Sequence, residues 1–291
     1  MVVYGSEIRR ERPGKKMPMK LVSFDAMRSF GIPGVTYVRP ESWLARPGEI
    51  EAAHWLLFPQ YWQVNALYYG LKKRIFPSIP TYHLGHDKVE MTRAFQAVCP
   101  ANVPETLILA ATDGSEHEVL DTLTFPFVAK EIRNSMGRGV HLVENRAQWR
   151  RYAQANDVWY VQEFLPLDRD MRLVVIGRSV VAAYWRRRAE GGFHTNVARG
   201  GVVDFDDVPP QAIRLVESTA RRLDIDHAGF DVAQVGDRFY FFEFNRLFGA
   251  RGLVEGGVSA GALIHAYLEQ LSRPPGAPPR EPPAPPVRKA S

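Results

Sequence analysis

The sequence predicts an α/β protein made of α+β lobes, on three observations. Between Lys20 and Phe58, short β-type runs (Lys20–Phe24, Val35–Val38, Trp55–Phe58) alternate with Gly/Pro turns, and a helical stretch follows at about Gln63–Arg74. That alternation argues for a small amino-terminal α/β lobe with a mainly parallel sheet. Further on, two hairpins are marked by short polar turns, Gly177-Arg178 and Val235-Gly236-Asp237-Arg238, each between apolar runs. The length, 291 residues, suffices for two or three compact lobes, each with a core.

The elements between these landmarks follow the same rules. A helix is predicted from about Asp87, with Val89, Ala94, Phe95 and Val98 on its apolar face. Thr106–Ala110 reads as a strand, Glu116–Leu123 as a helix and Phe125–Lys130 as a strand, together a second small α/β unit. Asp157–Phe164 is a further strand, and Asp168–Val175 pairs with Val180–Tyr184 across the first hairpin. Gln211–Leu223 is amphipathic, with Ile213, Val216, Ala220 and Leu223 aligned, and Ser259–Leu271 closes the fold as a helix. Gly31-Ile32-Pro33-Gly34 lacks the third glycine of a dinucleotide fingerprint and reads as a turn. The expected division is a basic extension (1–16), an amino-terminal lobe (17–86), two further lobes (87–165 and 166–272) and a proline-rich tail (273–291).

Composition narrows the function classes. Hydrophobic content of 45% and charged content of 24% are ordinary for a globular chain, and no apolar run approaches the ~18 residues of a membrane span. One cysteine, Cys99, excludes an internal disulfide framework or a cysteine-rich zinc site and points to a reducing cytoplasm. The stretch Met1–Lys20 has no apolar core of the kind a secretory signal needs, so no export is expected. The net charge of +5 arises at the ends, where residues 1–20 carry +4 and residues 273–291 carry +3, leaving the body at −2. With the basic balance confined to unpatterned ends, a nucleic-acid partner is not expected, nor is a membrane.

The chemistry gathers on the second hairpin. In Tyr240-Phe241-Phe242-Glu243-Phe244-Asn245, period two places Glu243 and Asn245 on one face and sends Phe242 and Phe244 into apolar packing. Antiparallel pairing would bring Asp231 to the same place. Two carboxylates and an amide oxygen make a hard donor set suited to magnesium; the same residues would also serve as the wet face of a half-covered strand. Lys88, in the first turn of a helix, is unfavourable for the helix dipole and suggests an anion site, or else a solvated surface lysine. Lys130 sits in an apolar strand, where an ammonium has to pair or reach a phosphate. Asn134-Ser135-Met136-Gly137-Arg138-Gly139 after it is a glycine-rich turn without a Walker ending. The polar loop Arg186–Gly201 lies between strands and reads as functional. His54, His83 and His86 lack metal-ligand spacing and are expected to be structural or surface residues.

This order of motifs, over roughly Asp87–Tyr267, resembles the ATP-grasp superfamily and within it the RimK-like ligases. The resemblance implies an ATP-grasp fold with a small amino-terminal α/β lobe, and ATP with magnesium (or manganese in its place) as cofactors. Carried over by position, Lys88 and Lys130 resemble the phosphate-contacting lysines, and Ser135, Met136, Gly137 and Gly139 belong to the phosphate-covering loop. Glu163 and Phe164 match the adenine hinge and Asp170 the ribose-binding acid. Arg172, Arg186 and Arg187 match the cationic side of the site, Asn196 and Arg199 the stretch near the reacting phosphate. Asp231, Glu243 and Asn245 match the magnesium ligands. The family commonly continues with a small residue, Ser, Pro and Gly, where this chain has Arg246-Leu247-Phe248-Gly249.

The implied activity is an ATP-dependent ligation of a carboxylate to an amine, on small-molecule or peptide substrates. A kinase-like phosphotransferase and a non-catalytic ATP-binding module are the competing readings.

Overall fold

The computed structural model describes residues 18–132, 139–187 and 203–273. The expected basic extension, the proline-rich tail beyond Arg273, the turn residues Ser135, Met136 and Gly137, and Asn196 and Arg199 lie outside the described residues, as does the side chain of Arg187.

The amino-terminal lobe comprises β1 (Leu21–Ser23), β2 (Val35–Tyr37), α1 (Pro47–Ala52), β3 (Trp55–Leu57), α2 (Tyr61–Asn65), β4 (Ile75–Phe76) and α3 (Ile79–Leu84). Its sheet is wholly parallel, in the order β2-β1-β3-β4. Gly31 and Gly34 bound the expected turn with φ of 78° and 68°, values that favour glycine. The helix expected over Gln63–Arg74 lies earlier: α2 begins at Tyr61 and continues as a π-helical turn over Ala66–Gly70. Gln60 and Gln63 form a reciprocal cap that fixes this start.

Next come α4 (Lys88–Val98), β5 (Thr106–Ala110), α5 (Asp113–Thr122), β6 (Phe127–Lys130), β7 (Val140–Val143), α6 (Arg146–Ala155) and β8 (Val158–Glu163). Their sheet is antiparallel, ordered β5-β8-β6-β7. Strand β6 starts at Phe127 rather than Phe125, since Pro126 has no N–H for the ladder. The apolar face of α4 is carried by Met91 and Phe95; Val89, Ala94 and Val98 are only partly covered. Helix α6 was not anticipated. It has two large apolar residues, Trp149 and Tyr152, and its clearest mark is the Asn145 cap, which accepts from Ala147 and Gln148 N–H at 3.1 and 3.0 Å.

The last part comprises β9 (Arg169–Ile176), β10 (Ser179–Arg187), β11 (Val203–Asp204), α7 (Pro210–Arg222), β12 (His227–Val235), β13 (Arg238–Asn245), α8 (Arg251–Glu255) and α9 (Ala260–Leu271). Its sheet runs β11-β10-β9-β12-β13 with antiparallel neighbours throughout. Gly177 and Gly236 open the two hairpin turns with φ of 71° and 57°.

One face of this sheet buries Leu173, Phe230, Phe241 and Phe244 against Met91, Phe95 and Val216 of α4 and α7. Each such side chain contributes about 1.5–3 kcal/mol on burial. On the other face, Val174, Ile176 and Tyr184 share a core with Leu21, Leu57 and Phe76 of the amino-terminal lobe and with α9. The small sheet has its own core around Phe127, Trp149 and Val161. No described helix is long and apolar enough to cross a membrane.

The junction with the amino-terminal lobe is polar at one point. Asp226 Oδ1 accepts from Ser78 N–H at 2.8 Å and Thr81 Oγ1 at 3.4 Å, and Asp226 N–H donates to Thr81 Oγ1 at 3.1 Å. Burial raises the Asp226 carboxyl to about 6, against the bonds from Ser78 and Thr81. Next to it, His227 is enclosed by Phe58, Phe76 and Phe248 and is lowered to about 3, by burial and then by Arg28. The two groups act in opposite directions on stability. His227 favours folding fully above its ordinary value of 6.5, and that contribution is lost as pH falls toward about 3. Asp226 favours folding fully below 3.8, and its contribution is lost as pH rises through about 6. Replacing His227 with Leu is therefore expected to flatten the acid side of the profile. In urea unfolding at stepped pH, the variant should gain on wild type by up to about 1.4 kcal/mol per pH unit on descent below 6.5.

Candidate active site

The site is organised by an irregularity in the β12–β13 hairpin. Asp231 pairs with Glu243 and Gly229 with Asn245, but the register shifts so that Val232 pairs with Phe241, leaving Phe242 as the extra residue of a bulge. The expected alternation is thus broken at one position. Phe241 and Phe244 enter the core, whereas Phe242 is only half-buried and its ring centroid lies 5.8 Å from Lys130 Nζ. Phe242 therefore lines the site with Glu243 and Asn245 instead of packing inside, because a bulge places consecutive side chains on one face. Asn245 Nδ2 donates to Glu243 Oε1 at 2.9 Å.

Behind these residues runs a chain of alternating charges across three strands. Asp231 accepts from Arg172 Nε at 2.6 Å and Nη2 at 3.2 Å, and pairs with Arg186 Nη2 at 3.1 Å. Arg186 also donates twice to Asp170, both at 2.7 Å. Cross-strand register makes this possible, since Asp231 faces Arg172 and Arg186 faces Asp170. The four side chains are 7–12% exposed. Burial alone would lower the Arg186 guanidinium, but Asp231 and Asp170 outweigh it and raise it above its ordinary value. Asp170, matched to a ribose-binding acid, is thus held by Arg186. Asp231 is engaged by both arginines.

The opposite side of the cleft supplies the amines. Asp87 caps α4, accepting from Val89 and Glu90 N–H at 2.7 and 3.1 Å, and so offsets the unfavourable position of Lys88 in the first turn. Lys130 Nζ donates to Gln162 Oε1 at 2.8 Å and lies 5.2 Å from the Tyr160 ring centroid. Gln162 is oriented in turn by Thr106 Oγ1, 2.8 Å from its Nε2. Burial lowers the Lys130 ammonium to about 8, partly restored by Glu243. Lys88 is lowered by burial, raised by Glu243 and lowered again by Lys130. The two lysines and Glu243 thus share one electrostatic neighbourhood, although they come from three separate elements.

Glu163 bonds back to its own sheet: its N–H donates to Glu105 carbonyl and its Oε1 accepts from Glu105 N–H, both at 2.9 Å. Phe164 is half-buried just beyond it. Gly139 has φ of 69° and accepts from Glu131 N–H at 2.7 Å, closing the base of the glycine turn.

Asp231, Glu243 and Asn245 fit a magnesium ion by donor chemistry and by register, being hard oxygen donors on directly paired strands. Among the described residues, no three His, Cys, Asp or Glu gather as a metal cluster, so such a site depends on the Asn245 amide oxygen. With Nδ2 committed to Glu243, Oδ1 is the donor atom that remains.

Sequence reasoning missed Gln162, whose only signal was a polar residue directly after the apolar run Val158–Val161, and Gly229. A Cβ on Gly229 would lie 2.7 Å from Arg172 Nη1 and 2.9 Å from its Cδ, so glycine leaves the path by which Arg172 reaches Asp231. Gly229→Ala is expected to destabilise by about 1–3 kcal/mol. In an Arg172→Met background the same change should cost less than half as much, read by denaturant unfolding in a double-mutant cycle.

The fold has counterparts among known proteins. Residues 87–267 match the model of the RimK-like ATP-grasp domain. A probable alpha-L-glutamate ligase of Enterobacter sp. (strain 638) is 28% identical over 180 residues, covering 60% of each chain. A ribosomal protein bS6--L-glutamate ligase of Escherichia coli O7:K1 is 33% identical over 152 residues, covering 50% of this chain and 51% of its own. The chain thus spans about half to three fifths of the length of the curated relatives it matches. The RimK domain ATP-grasp protein of Sphaerobacter thermophilus superposes with a TM-score of 0.65 at 17% identity, over 85% of this chain and 98% of that one. The D-alanine--D-alanine ligase of Bacillus anthracis complexed with ATP gives 0.65 at 12% identity, over 87% and 97%. Both likenesses establish the ATP-grasp fold. On the domain match, the chain belongs to the RimK-like ATP-grasp family.

Proposed function

We propose that the protein is an ATP- and magnesium-dependent ligase that activates a carboxylate as an acyl phosphate and joins it to an amine, releasing ADP and phosphate. The observation that carries this reading is Lys130 Nζ lying 5.8 Å from the ring of Phe242, beside Glu243 on the hairpin that also bears Asp231 and Asn245, with Lys88 and Lys130 both feeling the Glu243 charge. The amine is an amino acid or peptide, as the names of the glutamate ligases suggest. The reading keeps a cytoplasmic protein with lobes at 17–86, 87–165 and 166–272.

In the first step a substrate carboxylate oxygen attacks the γ-phosphorus, the new O–P bond forms, and the bond to the β,γ-bridging oxygen breaks to release ADP. In the second, the amine nitrogen attacks the acyl carbon; the C–N bond forms, the C–O bond breaks, phosphate leaves and the surplus amine proton passes to solvent. Lys130 and Lys88 neutralise phosphate charge, and Gln162 holds the Lys130 ammonium in position. Arg172 contributes positive charge from the opposite wall while anchored on Asp231. Asp231, Glu243 and Asn245 would hold magnesium, which would supply charge neutralisation along the triphosphate. No protein nucleophile is needed.

Glu243→Gln is expected to lower magnesium-dependent ADP formation by roughly 100-fold or more, while the melting temperature stays within a few degrees of wild type. Activity near the wild-type level would refute the assignment. Hydroxylamine separates this function from its competitors. A ligase supplied with its acid yields a hydroxamate, a phosphotransferase yields none, and a binding module consumes no ATP.

A further inference from the structure

The amino-terminal lobe carries an aromatic face that the nucleotide chemistry does not use. Trp62 and Tyr69 are 61% and 51% exposed, and Tyr68 and Leu71 beside them 40% and 49%. A regular helix would turn Tyr68 inward, because it follows the buried Val64 by one turn. The π-helical turn over Ala66–Gly70 takes in an extra residue and leaves Tyr68 and Tyr69 both outside, their rings T-shaped at 5.0 Å. Such turns are rare and concentrate at functional sites. A single exposed apolar residue is ordinary, but a tryptophan, two tyrosines and a leucine over residues 62–71 make a patch of the kind that marks an interaction surface.

Helix α9 ends beside this face. Arg74 Nη2 donates to Leu271 carbonyl at 2.8 Å, and Arg74 Cζ lies 3.9 Å from the centroid of the Trp55 ring, whose Nε1 donates to Ser272 Oγ at 2.9 Å. One residue before Arg74, Lys73 N–H donates to Leu67 carbonyl at 3.0 Å, inside the π turn that bears Tyr68 and Tyr69. The point from which the proline-rich tail departs is thus tied to the end of the aromatic helix.

Residues 274–286 hold eight of the chain's 22 prolines, with Pro279, Pro282 and Pro285 at intervals of three. A polyproline helix has three residues per turn, so these three would line one edge at intervals of about 9 Å. Trp62 and Tyr69 are separated by about 10 Å along their own helix. Aromatic surfaces receive proline-rich segments because rings pack on pyrrolidines, while Trp N–H and Tyr hydroxyl groups donate to carbonyls that the polyproline backbone leaves without internal partners. From Arg273 to Pro279 such a helix reaches about 19 Å, enough to pass from the end of α9 onto the aromatic face. We propose that the proline-rich tail, residues 274–291, docks in cis as a polyproline helix on the face formed by Trp62, Tyr68 and Tyr69. This docking does not depend on the ligase reading.

The test is limited trypsin digestion of the full chain, with loss of residues 281–291 followed by mass. Trypsin spares Arg273, which precedes a proline, so the cut after Arg280 reports on the middle of the tail. Each rate is taken relative to a synthetic peptide of the same tail sequence. In wild type the cut should be slower than in the peptide by about five-fold or more, since cleavage follows the undocked population. Trp62→Ser and Tyr69→Ser should each bring it close to the peptide rate, with melting temperatures within a few degrees of wild type. Replacing Pro279, Pro282 and Pro285 together by Ala should do the same. Val254→Ser removes an exposed apolar side chain from α8 and should leave the protection intact. The proposal is overturned if the wild-type tail is cut as fast as the peptide, if the aromatic variants keep the protection, or if Val254→Ser loses it equally. It is also overturned if protection rises with protein concentration, because the tail would then sit on a second copy. Should an aromatic variant fail to fold, the proline variant carries the same decision from the tail.

Discussion

The interaction on which the rest of the site depends is the alternating chain Asp170, Arg186, Asp231 and Arg172. It ties β9, β10 and β12 together from the inside of the cleft, where little water reaches it. Two positive and two negative groups balance, so the buried assembly is neutral although each member alone would be costly. Removing one leaves an uncompensated charge, a penalty of about 3–5 kcal/mol in such settings. The site is therefore stiff where it must hold Asp231.

The lysine side follows a different logic. Lys130 is enclosed and bonded to a neutral amide, with Glu243 across the cleft as its compensating charge. An ammonium in this state is poised to exchange part of its partnership for a phosphate oxygen, whereas Arg172 and Arg186 each already hold carboxylates through Nε and Nη2. One wall holds its geometry, and the other retains the capacity to respond.

Much of this was legible in the sequence. Parallel strands in the first lobe, both hairpins and the strand Thr106–Ala110 were readable because local composition and periodicity agree with the final pairing. The local signals differed by residue: Lys130 is an ammonium in an apolar strand, Lys88 a cation in a helix's first turn, Glu243 and Asn245 share a face by period two, and Arg172 stood out through the family resemblance alone. Phe242 was misplaced because period two assumes a regular ladder, and a bulge depends on how two distant strands pair. Helix α6 escaped because its apolar face is only Trp149 and Tyr152, with the rest of its burial supplied by the small sheet. Gly229 and Gln162 could not be read at all from spacing. Their roles exist only through Arg172 and Lys130, which arrive from other strands.

The distribution of cores has a mechanical consequence. The first lobe and the five-stranded sheet are joined through a common apolar interior, from Leu21 and Phe76 to Ile176 and Leu268. The small sheet closes on itself around Trp149 and meets α4 through a polar link, Thr92 Oγ1 to Tyr160 hydroxyl at 2.7 Å. Rigid-body displacement is easiest across the seam with the least shared apolar area, so the clamp jaw is the small sheet. Lys130 sits on the small sheet and Glu243 on the five-stranded sheet, so the gap between ammonium and carboxylate is the dimension that such a displacement would change.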